Sequence, residues 1–132
     1  MDKMLFQGIR EWDTTKMKRA VLGGAMVNKE VMGMGTPLTY ATHCGNFDTI
    51  ATLVSLGADV NQRVGDDPPL VFAIKMAKIE LAWKMLLNFD INVRIIDRYG
   101  WSPIMWAIVA KQPQIVHLIV AKANGYNVLL KN

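Results

Sequence analysis

Four asparagines recur at nearly one interval along this 132-residue chain. Asn28, Asn61, Asn92 and Asn127 are 33, 31 and 35 residues apart. Pro37, Pro69 and Pro103 keep step with them, each followed four residues later by an alanine: Ala41, Ala73 and Ala107. A period of this length marks an array of helix pairs, in which one unit cannot bury its apolar face alone and must stack on a neighbour. The local chemistry agrees. Thr36 and Ser102 have hydroxyls suited to capping a helix. The three prolines then fall at a first helical position, where a missing N–H costs nothing. Small Ala41, Ala73 and Ala107 allow two helices to approach closely. Gly45 and Gly57 stand where a helix ends and the chain needs a positive φ. Ile50, Leu53 and Val54 form an apolar stripe of helical period, repeated by Leu81, Met85 and Leu86 and again by Ile115, Leu118 and Ile119. The spacing predicts helices over 4–11 and 14–22, 37–44 and 47–56, 69–76 and 79–88, and 103–110 and 113–122, each pair followed by a projecting turn.

The clearest copy reads Gly35-Thr36-Pro37-Leu38, then Ala41, then Gly45-Asn46, and closes Gly57-Ala58-Asp59-Val60-Asn61. It resembles a complete ankyrin repeat. The last copy, Asp97-Arg98-Tyr99-Gly100-Trp101-Ser102-Pro103-Ile104, is close to the same pattern, and Gly24-Ala25-Met26-Val27-Asn28 echoes its ending. The resemblance implies an all-α ankyrin-repeat solenoid of helix–turn–helix pairs with short β-turn fingers. It implies one domain over 1–132, with repeats near 1–30, 31–62, 63–95 and 96–128. Departures mark irregular places. Thr39, Val71 and Met105 stand where the family has histidine, so a common side-chain hydrogen bond is expected to be missing. Pro68 replaces the capping threonine, leaving Asp66 or Asp67 to cap that helix. The third repeat lacks its closing glycine, and the finger Val93-Arg94-Ile95-Ile96 is two residues longer than the pattern. That finger is expected to be irregular, with exposed apolar side chains.

Composition fits a small intracellular domain. Apolar residues make up 52% of the chain, yet the most apolar window, 104–123, is interrupted by Lys111, Gln112, Pro113, Gln114, His117 and Lys122. No membrane span is expected, nor a secretory leader behind Met1-Asp2-Lys3. The one cysteine, Cys44, suits a reducing cytoplasm. Net charge is +4 but spread out: residues 36–62 carry only Asp48 and Asp59, and the densest basic cluster is Lys16, Lys18 and Arg19. That cluster reads as a solvated helix face or a site for an acidic partner. It is not the concentrated field that phosphate backbones demand.

No catalytic or cofactor constellation emerges. Gly33-Met34-Gly35 has no third glycine at dinucleotide spacing. His43 and Cys44 are adjacent, so on a helix they diverge by about 100°, and there is no second cysteine for a zinc set. Asp66-Asp67 before Pro68-Pro69 reads as turn chemistry. The expectation is no enzyme, no metal and no cofactor. Of the tryptophans, Trp12 falls where a glycine ordinarily ends a repeat's first helix, Trp83 at an ordinarily polar position, Trp106 at a core leucine position, and Trp101 on a finger beside Tyr99, exposed.

The family resemblance implies protein binding through a concave surface of fingers and inner helices, in a free-standing adaptor or inhibitor. The alternative is a structural subunit of a homo-oligomer or larger assembly; nucleic-acid binding is the less supported reading. The candidate contacts are Met34, His43, Lys75, Arg98, Tyr99 and Trp101, with aromatic Tyr99 and Trp101 beside Arg98 forming the sharpest cluster. A last expectation concerns 104–121, which is apolar nearly all round. Its outer face, including Val116 and Val120, is expected to be buried in a homodimer or against the partner, apart from what the tail 126–130 covers.

Overall fold

The computed structural model describes residues 1–44, 46–63, 67–97 and 99–125. It contains eight helices: α1 (Asp2–Glu11), α2 (Thr14–Leu22), α3 (Pro37–Cys44), α4 (Phe47–Ser55), α5 (Pro69–Lys75), α6 (Ile79–Asn88), α7 (Pro103–Val109) and α8 (Pro113–Ala123). These match the expected spans to within two residues at every end. Among the described residues there is no strand; an isolated bridge between Val31 and Gly35 closes one finger. The fold is all-α.

Two compact units divide the chain, Met1–Gly65 and Asp66–Asn132. In the first, α1 packs on α2 and on α3, α3 on α4, and α2 on α4. Leading helices therefore meet leading helices, and following helices meet following ones. Leu5, Ile9, Met17, Leu38, Ile50 and Leu53 fill the space between them. In the second unit α5 packs on α6 and α7, and α8 on α6 and α7. Its core is Leu70, Val71, Met85, Leu86, Ile115 and Ile119. The small alanines do what their size implies, since Ala41, Ala73 and Ala107 have no exposed surface. The first repeat uses Gly8 in that place. A Cβ there would lie 2.9 Å from Met17 Cγ and 3.2 Å from the Asp13 carbonyl.

The helix starts are individual. Thr36 and Thr39 bond reciprocally: Thr36 N–H donates to Thr39 Oγ1 at 3.0 Å, and Thr39 N–H to Thr36 Oγ1 at 3.3 Å. Thr39 Oγ1 also donates to the Thr36 carbonyl. A hydroxyl thus occupies the place of the family's histidine, and the expected gap in bonding there does not arise. Asn46 and Thr49 build the same reciprocal box for α4, and Asp13 caps α2 by accepting Lys16 N–H at 3.0 Å. At α7 the reach-back comes from Met105, whose sulfur accepts Ser102 N–H at 3.4 Å. At α5 Asp67 does not take the capping role expected of it or of Asp66. The helix starts from extended Pro68 with no side-chain cap, because the Asp67 carboxylate turns instead to Lys75 Nζ, 3.2 Å away. Asp66 and Gly45 lie outside the described residues.

The turn between the two helices of a repeat demands a left-handed residue. Trp12, Ala77 and Lys111 supply it, with φ of 57°, 60° and 58°. The turn after α4 uses Gly57 at φ 105°. Successive repeats are then tied together through backbone groups. The Asn28 side chain donates to the Gly57 carbonyl at 3.0 Å and accepts Asp59 N–H at 2.8 Å. The third repeat, without a closing glycine, leaves α6 directly into extended Phe89. The long finger that follows is partly packed: Val93 is buried, Ile95 half-buried, and Ile96 exposed. Only Ile96 keeps the full exposure expected of that segment.

These backbone demands have opposite consequences at two turns. A Cβ on Gly57 would meet nothing closer than Val27 Cγ1 at 3.9 Å, so Gly57→Val is expected to lose about 1–3 kcal/mol through φ alone. Ala77→Gly relieves the same kind of strain and is expected to gain about 0.5–1 kcal/mol, offset in part by unfolded-chain entropy. Urea unfolding followed by far-ultraviolet circular dichroism checks both signs.

Candidate protein-binding site

The turn leading into α7 is organised by one carboxylate. Asp97 is 4% exposed. Its Oδ1 accepts the backbone N–H of Tyr99 and of Trp101, each at 2.9 Å, and its Oδ2 accepts the Trp106 indole N–H at 2.8 Å. Asp97 N–H donates to the Trp101 carbonyl. Burial raises the pKa of this group, but the donors at Trp101, Trp106 and Tyr99, helped by the Lys75 charge, outweigh it and hold Asp97 below the ordinary aspartate range. The turn is therefore fixed at three points before any partner arrives.

The aromatic residues arrange themselves around that anchor. The Trp101 ring lies against Trp106, centroids 4.8 Å apart and tilted by 47°. Lys75 Nζ sits 4.5 Å above the Trp106 ring and pairs with Asp67. Two expectations change here. Trp101 is half-buried rather than exposed, because Trp106 offers it a stacking face. Trp106 is no substitute core leucine; it is half-buried in a cluster of mixed polarity, bonded to a carboxylate and covered by an ammonium. Tyr99, by contrast, is 68% exposed. Lys75, Tyr99 and Trp101 are thus brought together within the second unit. Arg98 lies outside the described residues.

Met34 and His43 belong to the first unit. Met34 is on the finger closed by the Val31–Gly35 bridge and is exposed. It borders a cleft with Phe6 and Arg10. His43, in the last turn of α3, is exposed and stands apart from that cleft. Cys44 beside it donates to the Tyr40 carbonyl at 3.3 Å. Among the described residues no three His, Cys, Asp or Glu side chains gather as a metal set, and no helix is long and apolar enough to cross a membrane.

The last helix pair carries an apolar outer surface. Ile108, Val109, Met105 and Val120 are 59%, 58%, 45% and 40% exposed. Val116 and Ala121 are half-buried, so they contribute less to this surface than expected. The tail 126–130, expected to cover part of it, lies outside the described residues.

Some participants were invisible to pattern reading. The Trp12 indole donates to the Cys44 carbonyl at 3.1 Å, across 32 residues. Lys122, one of the interruptions in the apolar window, donates to the Phe89 carbonyl at 3.0 Å. Burial lowers its pKa, against the opposing pull of Asp90. The only sequence signal for Asp97 is its place in the repeat pattern, which says nothing of its bond to Trp106.

The same geometry recurs in a known family. Residues 63–132 match the model for ankyrin repeats in three copies, and residues 35–64 match that for a single ankyrin repeat. The chain belongs to the ankyrin-repeat family. α1 and α2 precede the matched residues, yet Gly8 and the left-handed Trp12 occupy the ankyrin positions of a close-approach residue and an inter-helix turn. Among curated proteins, alpha-latroinsectotoxin-Lt1a of Latrodectus tredecimguttatus is 35% identical over 66 residues, 48% of this chain but 5% of the toxin. This chain therefore spans a small fraction of that relative. Ankyrin repeats are in general modules of protein–protein interaction.

Asp97 provides a pH test of the finger. A carboxylate with a depressed folded-state pKa contributes stability above its unfolded pKa and loses it as pH falls through the folded value. Asp97→Asn is therefore expected to destabilise the chain at neutral pH. The gap from wild type should shrink as pH falls below about 4. Urea midpoints for both proteins across that range decide it; a pH-independent gap removes the charged form of Asp97 from the account.

Proposed function

We propose that this ankyrin-repeat chain is an adaptor or inhibitor that binds a partner protein through its fingers and leading helices. The observation that carries the reading is Tyr99: a largely exposed aromatic side chain on a turn fixed by the buried Asp97 carboxylate, with Trp101 and Lys75 alongside. Aromatic anchors on rigid backbone lose little entropy on binding and dominate interface energetics. Met34, His43 and Arg98 complete the proposed contact set. The scattered charge gives nucleic acid little to hold, and the single Cys44 suits a reducing, cytoplasmic setting.

Tyr99→Ala is expected to weaken binding of a partner captured by the intact chain by about 2 kcal/mol or more, with the circular dichroism spectrum unchanged. The Tyr99→Ala, Trp101→Ala double variant is expected to bind more weakly still and to unfold earlier, because Trp101 also packs on Trp106. Unchanged affinity in both, measured by calorimetry, removes this surface from the reading.

A second reading rests on the apolar outer surface of α7 and α8. Monomers rarely tolerate contiguous apolar patches, and burial of this one between two copies would give a homodimer. Ile108→Lys with Val120→Glu is then expected to shift sedimentation equilibrium from dimer to monomer. A wild-type chain that stays monomeric at high concentration rules the dimer out.

A further inference from the structure

The first unit holds a cleft of about 520 Å³ between α1 and the finger 31–35, a volume in the range of ligand-binding clefts. Its floor is apolar. Phe6 is held edge-on against Tyr40, ring centroids 5.1 Å apart, and Val31 and Met34 close the finger side. Its rim is basic. Lys3 and Arg10 stand on the same face of α1, seven residues and so about 10 Å apart, and both are exposed.

What decides the sign of the field is where the nearby carboxylates go. Asp2 accepts Met26 N–H at 3.0 Å and pairs with Lys29 at 3.4 Å. The Met26 amide outweighs partial burial and holds its pKa down. Glu11 is bound by Lys16 Nζ at 2.7 Å and by the Gln7 amide at 3.1 Å. These acids are satisfied within the unit. Lys3 and Arg10 make no ion pair among the described residues; Arg10 acts on Glu11 only at longer range, and Asp2, which also lines the cleft, is already engaged by Met26 and Lys29, so the balance of charge at the cleft is positive.

We infer that this cleft takes an acidic segment of a partner protein, one large apolar side chain seated on Phe6, Val31 and Met34 and flanked by carboxylates that reach Lys3 and Arg10. In an extended segment, side chains two apart point the same way about 7 Å apart, a span the flexible stems of Lys3 and Arg10 can meet. A Glu-Phe-Glu segment has this form: the central ring points down and the two carboxylates point back to the rim. The inference rests on the protein-binding reading above and names the chemistry of one part of that surface.

The test is a titration of the whole chain with a capped Ser-Glu-Phe-Glu-Ser peptide, read in amide nuclear magnetic resonance spectra. The peptide is expected to shift amides of α1 and of Val31–Met34. Its lysine counterpart, Ser-Lys-Phe-Lys-Ser, is expected to bind at least tenfold more weakly. Lys3→Gln with Arg10→Gln is expected to weaken the acidic peptide about tenfold. Lys3→Glu with Arg10→Glu should reverse the preference between the two peptides. Met34→Ser should weaken the acidic peptide through the floor, with the charges around the cleft unchanged. Circular dichroism confirms that each variant is folded. No shift at millimolar peptide, equal shifts with both peptides, or displacement of the acidic peptide by a short DNA duplex that binds more tightly would each overturn the inference. If a captured partner loses affinity with Tyr99→Ala but not with Lys3→Glu and Arg10→Glu, the general reading stands and this inference falls.

Discussion

The backbone polar groups where one helix pair gives way to the next have no helix to satisfy them, and the fold depends on how they are met. In the first unit one amide side chain does most of it. Asn28 donates to the Gly57 carbonyl and accepts Asp59 N–H, while its own carbonyl accepts the Gln62 side chain at 2.9 Å. An amide can do this because it presents a donor and an acceptor together. A carboxylate, which only accepts, could not meet both groups. In the second unit two such carbonyls are met by cationic side chains. Lys122 donates to the Phe89 carbonyl, and Arg94 to the carbonyl of Ala123. A demand that repeats along the chain is one thing, and the partner a side chain finds on another repeat is a second.

That distinction explains what was legible in the sequence. Helix bounds, close-packed alanines and the αL turn at Trp12 could be read because each is a local demand repeated at a fixed interval. Gly8 becomes intelligible on the same register, 33 residues before Ala41. Where a residue's partner lies on another repeat, the pattern is silent. Nothing in Asp97 or Trp106 announces that they bond, and nothing in Lys75 announces that it covers an indole 31 residues away. Trp101 was misjudged for this reason. Its place on a finger fixes its backbone and leaves open which way the ring turns. Asp67 was misjudged because capping and ion pairing compete for the same carboxylate, and only the fold brings Lys75 within reach.

The candidate surface follows from the same economy. The finger before α7 is built from groups that are already satisfied: a buried carboxylate with three donors, a paired ammonium, two indoles in tilted contact. What it shows to solvent is Tyr99, largely exposed on a turn that has little freedom left to lose. At α1 the acids are spoken for by a backbone amide, two lysines and a glutamine, and what is left over is basic. In both places the internal pairing decides what the outside world meets.

The four tryptophans also divide the chain optically. Trp12, largely exposed, is the one indole of the first unit; it sits in the turn of the first repeat and reaches the Cys44 carbonyl of the second. Trp83, Trp101 and Trp106 belong to the second, where two rings under 5 Å apart sit close enough for their electronic transitions to couple. A near-ultraviolet dichroism band from that pair and a red-shifted emission from Trp12 would report the two halves independently. The natural chain thus carries its own labels for watching each half come apart.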